Sequence, residues 1–129
     1  MGYQIIKCAP DEDLYMEWSS IVEAPTAAGT RTEMLDHLTE QRAQQPPVDV
    51  LDRANTPESR LHRADTRGTS MLDRSGCDWN SHSLIYMQRG YLPRSRFAEF
   101  ARRFLADDEA GMAALLDPFD DEPEDTGAA

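Results

Sequence analysis

The stretch from Ser83 to Leu105, SLIYMQRGYLPRSRFAEFARRFL, decides how the chain is read. It holds three of the four Phe and two of the four Tyr. Leu84-Ile85-Tyr86-Met87 is a short apolar run bounded by Ser83 and by Arg89-Gly90, and it predicts a buried strand near 84–88 followed by a turn at the glycine. Phe97, Phe100, Ala101, Phe104 and Leu105 then fall at i, i+3, i+4, i+7 and i+8, one face of a 3.6-residue period. Arg96, Glu99, Arg102 and Arg103 fall off that face. The spacing predicts an amphipathic helix over 95–106, with Phe97, Phe100 and Phe104 buried against Trp18 and against Leu84 or Tyr86.

N-terminal to this unit, Tyr3–Lys7 predicts a strand and Pro10–Asp13 a turn. Leu14 to Glu23 alternates, with Leu14, Met16, Trp18, Ser20 and Val22 on one face, and predicts a half-buried strand antiparallel to the first. Pro25 ends it. Thr30 and Glu33 have the capping-box spacing and open a helix over 30–44, which Pro46-Pro47 stops. Residues 46–82 are poor in large apolar side chains and read as a long, partly mobile excursion. Within it, Val48–Arg53 can form one helical turn. Thr56 and Pro57 are suitable as N-cap and first residue of a short helix to Asp65. Asp107-Asp108-Glu109 starts a last short helix carrying Met112, and Phe119 is a candidate anchor. The class expected is α+β: a small antiparallel sheet made of the N-terminal hairpin and the strand near 84–88, with two or three helices on one face. Residues 1–119 form a single domain in this reading, and 120–129 an acidic disordered tail.

At 129 residues the chain can bury one modest core. No apolar run is long enough for a membrane span, and MGYQIIKCAP has neither the charge pattern of a secretory signal nor a myristoylation motif. A cytoplasmic location is expected. Cys8 and Cys77, far apart in sequence, read as small buried hydrophobes rather than a disulfide.

The net charge is −11, and it is unevenly spread. From Asp107 onward there are nine acids and no base, whereas residues 89–103 hold five Arg and one Glu. Of 13 bases 12 are Arg, a composition typical of a high-GC genome. Such acidity favours basic partners and repels nucleic acid.

No reaction is named by any motif. Cys77, Asp78 and His82, with Cys8, His37 or His62 as possible additions, offer only one ligand pair where structural zinc takes four ligands. No nucleophile elbow, cysteine-protease signature or Gly-rich phosphate loop occurs. No catalytic residue, metal or cofactor is therefore assigned. The candidate partner-binding residues are the helix arginines Arg94, Arg96, Arg102 and Arg103 and the terminal acids Asp120, Asp121, Glu122, Glu124 and Asp125.

At DLYMEWSSIVEAPTAAGTRTEML (13–35) and LIYMQRGYLPRSRFAEFARRFL (84–105) the chain resembles uncharacterised small acidic orphan proteins of actinomycetes and their phages. The resemblance implies a high-GC origin and carries no activity, cofactor or catalytic residue. The expected function is non-enzymatic: binding of a basic host or phage protein, as an inhibitor or DNA mimic. A nucleic-acid-linked regulator using Arg94–Arg103 is the alternative, with the acidic tail as internal competitor, and a small hydrolase comes third.

Overall fold

A computed structural model describes residues 3–72 and 76–119. The class is α+β. Strands β1 (Tyr3–Lys7), β2 (Tyr15–Ser19) and β3 (Ala24–Gly29) form an antiparallel sheet in that order, with β2 central. Helices α1 (Arg31–Gln44), α2 (Val50–Ala54) and α3 (Pro57–Arg67) follow. Strands β4 (Ser83–Tyr86) and β5 (Gly90–Pro93) make a separate two-stranded hairpin, and α4 (Phe97–Leu105) and α5 (Glu109–Ala114) close the chain.

The strand near 84–88 therefore does not join the N-terminal sheet. It pairs with β5, Leu84 opposite Leu92, and its turn lies one step earlier than the glycine. Met87 and Gln88 both take positive φ, and the N–H of Arg89 donates to the carbonyl of Tyr86, a tight turn within the three-residue loop 87–89 that separates the paired Tyr86 and Gly90. Gly90 is needed for a different reason. Tyr91 and Asp117 exchange backbone hydrogen bonds at 2.8 and 2.7 Å, and a Cβ on Gly90 would lie 2.6 Å from the Asp117 carbonyl oxygen.

The second strand is shorter than the alternation suggested. Ser19 Oγ accepts from the N–H groups of Ile21 and Val22, and the Ser19 carbonyl accepts from Glu23, so the chain turns at 20–23 and leaves Ile21 and Val22 exposed. It returns as β3, an edge strand whose sequence APTAAG carries no strand signal. Pro25 is accommodated where the register shifts between Glu17 and Trp18.

Both faces of this sheet are covered, in place of the single face expected. Ile6, Met16 and Trp18 point to α4, meeting Phe97, Phe100, Tyr86, Leu92 and Met112. Phe100 packs edge-on to Tyr86, with ring centroids 5.1 Å apart, and Trp18 lies 6.1 Å from Phe100. Ile5 and Tyr15 point the other way, to Met34 and Leu38 of α1 and Leu61 and Ala64 of α3. The period-two alternation thus serves two buried layers.

Helix α1 begins at the Thr30–Glu33 capping box, both reciprocal bonds present, and α3 begins at Thr56 with Pro57 in its first turn. Helix α3 lies inside the 46–82 excursion, and its end is tied to the sheet. Gly68, at φ 87°, terminates it; the Gly68 carbonyl accepts from Lys7 N–H, and Ser70 N–H donates to Ile5. This segment covers the outer edge of β1. The disordered tail expected at 120–129 lies outside the described residues.

Candidate functional site

The four helix arginines are not equivalent. Arg94 sits in a 3-10 turn ahead of α4 and is only 9% exposed. Its Nε donates to the carbonyl of Asp78, Nη1 to Cys8, and Nη2 to Lys7, Gly68 and Cys77, at 2.8 to 3.4 Å. The guanidinium also stacks at 4.8 Å from the ring centres of both Trp79 and Phe97. Burial pulls its pKa down from the usual guanidinium range. Arg94 is thus a packing centre, removed from any partner-facing surface. A Cβ on Gly68 would approach Arg94 Nη2 to 2.7 Å, so this glycine is set by the arginine as well as by its positive φ.

The other three face outward and are paired. Arg96 donates to the Leu115 carbonyl at 2.7 Å and to Asp117 at 3.0 Å. Arg102 meets Glu12 and Glu99, and Arg103 meets Glu99 at 2.7 Å and Asp108 at 3.0 Å. The Arg103 pairing first and then Arg102 hold Glu99 below the usual carboxylate range, after allowance for the opposing effect of desolvation. The basic face is therefore covered by acids of the folded surface. Asp120, Asp121, Glu122, Glu124 and Asp125 lie outside the described residues.

Cys8 and Cys77 are buried free thiols in the α4 layer. Burial pushes the Cys8 thiol up to about 12, so it is protonated and a poor nucleophile. Among the described residues no group of three His, Cys, Asp or Glu side chains is placed to hold a metal ion.

A second locus involves, His37 apart, residues that the sequence did not single out. Glu17 of β2 is 1% exposed, on the face covered by α1 and α3. The register shift lets Thr26 reach back across the strand pair, and its hydroxyl donates to Glu17 Oε1 at 2.7 Å. His37 Nε2 lies 3.0 Å from the same oxygen, and Gln41 Nε2 donates to it at 3.3 Å. Glu17 Oε2 is buried with no hydrogen-bond partner among the described residues. Glu17 lines a cavity of about 430 Å3 bounded by the end of α1, by α2 and by α3. Arg42, Arg60 and Arg63 also line it. Arg42 donates to the carbonyls of Asp52, Arg53 and Asn55 at the end of α2, and Arg63 to the Ser70 carbonyl and the Asn55 side chain. Burial lowers the pKa of Arg60, with the charge of Glu17 opposing that shift.

In comparison with protein-family models, curated proteins and solved structures, none matches the chain.

Proposed function

We propose that the protein acts without catalysing a reaction, by binding a basic macromolecular partner in the cytoplasm. The observation that carries this reading is the pairing of Arg96, Arg102 and Arg103 with Asp117, Glu12, Glu99 and Asp108. With its main basic segment neutralised locally, the chain offers a −11 surface to its surroundings. Such a surface accelerates encounter with a positively charged protein and disfavours phosphate backbones. An inhibitor or DNA mimic directed at a basic groove is the specific form proposed, and the Arg-rich composition points to a host or phage protein of a high-GC bacterium as its target. Contact area is available on α2 and just ahead of it, where Val48, Val50 and Leu51 are 82%, 69% and 80% exposed, a clustering of apolar side chains uncommon on a solvated surface. That no helix among the described residues is long and apolar enough to cross a membrane agrees with this reading.

The test is capture from an actinomycete lysate at low and at high salt, with the full chain and with a chain ending at Phe119. The second chain lacks five acids and no base, so its net charge is −6. One basic protein retained at low salt and released at high salt supports the proposal, and weaker retention by the shorter chain makes the terminal acids part of the contact. Recovered nucleic acid instead would support the regulator reading built on the α4 arginines. Absence of any salt-sensitive basic partner would sink the proposal.

A further inference from the structure

We infer that the cavity between α1, α2 and α3 binds a small organic oxyanion, a phosphate or carboxylate carried on an apolar body, and that Arg60 is its principal contact. The chain as a whole is strongly acidic, yet this cavity is lined by three arginines, Arg42, Arg60 and Arg63, against two acids, Glu17 and Asp52. Arg42 and Arg63 have protein acceptors. Among the described residues Arg60 makes neither a hydrogen bond nor an ion pair, although its guanidinium offers five donors and is partly withdrawn from water. A buried or half-buried donor without a partner is costly, and an arriving oxyanion removes that cost with charge-assisted, fork-shaped bonds.

Glu17 is the opposing charge at the same cavity, and it works against an anion. Its carboxylate is buried at the same cavity, and one oxygen has no partner. Glu17 is held on its strand by Thr26 and on α1 by Gln41, while Arg60 stands on α3. The two charges attract one another and are not joined. Both line the cavity, and the negative member weakens the hold of the positive one on an anion. Pro46 and Met71 form apolar parts of the wall. A bare inorganic ion would leave them uncovered, whereas an organic body would bury them. The volume falls within the range of small-molecule sites, roughly 300–1,000 Å3.

Titration calorimetry on the full chain, with phenyl phosphate and phenylacetate as probes, tests the inference and separates the two sources of the oxyanion. At least one probe is expected to bind at one per chain. Arg60→Gln should weaken that binding by about tenfold or more, and Arg60→Lys by less, because the fork is lost while the charge stays. Glu17→Gln should move affinity the other way and tighten binding, since it removes a buried opposing charge from the cavity wall. Opposite signs at two residues of one cavity do not arise from a general loss of structure, and far-UV circular dichroism of each variant checks folding. The inference is overturned by failure of both probes to bind the parent chain, by unchanged affinity in Arg60→Gln, or by both variants shifting affinity in the same direction.

Discussion

Arg94 shows how far a residue's role can depart from its type. A guanidinium with carbonyl acceptors on all its donor groups, stacked between Trp79 and Phe97, behaves as a rigid spacer that happens to be charged. Arg94→Met should destabilise the fold by at least ~3 kcal/mol, because it leaves buried carbonyls without donors. Arg94→Lys should recover only part of this, since a point charge cannot reproduce the fork; urea unfolding of the two variants checks both statements. The buried thiol of Cys8 and the phenol of Tyr15 give a second expectation at this scale. Burial raises both pKa values, and for Tyr15 its hydrogen bond to Asp65 adds to the effect. For Cys8 the ordinary value is 9.0 and the folded value about 12. Stability from these groups is complete below the unfolded pKa and is lost as pH rises toward the folded one, because the unfolded chain gives up its protons first. The urea midpoint should therefore be flat up to about pH 8 and fall steadily above about pH 9. A midpoint that stayed constant through that range would show that neither group is held as described.

At the scale of elements, α4 is the part the sequence announced most clearly. Its apolar face is wide and aromatic, and Phe97 and Phe100 lie fully buried where the period placed them, with Phe104 packed at the rim. Phe100→Ala should cost ~3–5 kcal/mol, seen as a lower melting temperature, with loss of the Trp18 and Tyr86 contacts as the cause. Helix starts were equally legible, because caps are local: Thr30 with Glu33 and Thr56 with Pro57 both open helices as their spacing requires. Strand partners were not legible, because pairing is decided elsewhere. Nothing in APTAAG distinguishes an edge strand from a loop, and the short run SLIY pairs with its own neighbour rather than with the distant hairpin. The alternation in β2 was read correctly in phase, yet alternation alone does not reveal that α3 covers its second face.

For the whole molecule the same limit explains the cavity. Glu17, Arg60 and Arg63 come from a strand and a helix separated by α1 and α2, and only the folded arrangement brings them together. The one local hint was the i, i+3 spacing of Arg60 and Arg63 beside the buried Leu61. The arginine-rich helix, by contrast, was conspicuous in sequence and is internally neutralised in the fold. Charge counted along a chain and charge presented to a partner are different quantities, and the second is set by packing. The acceptors gathered by Arg94 also bear on the lifetime of the native state. They come from Lys7 and Cys8, from Gly68, and from Cys77 and Asp78, segments that lie 16 to 87 positions from Arg94 along the chain. A junction that needs all three in place can close only after most of the topology exists, so it contributes little to the folding transition state. Its loss should accelerate unfolding far more than it slows refolding, which makes this one arginine a determinant of how long the molecule stays folded once it has formed.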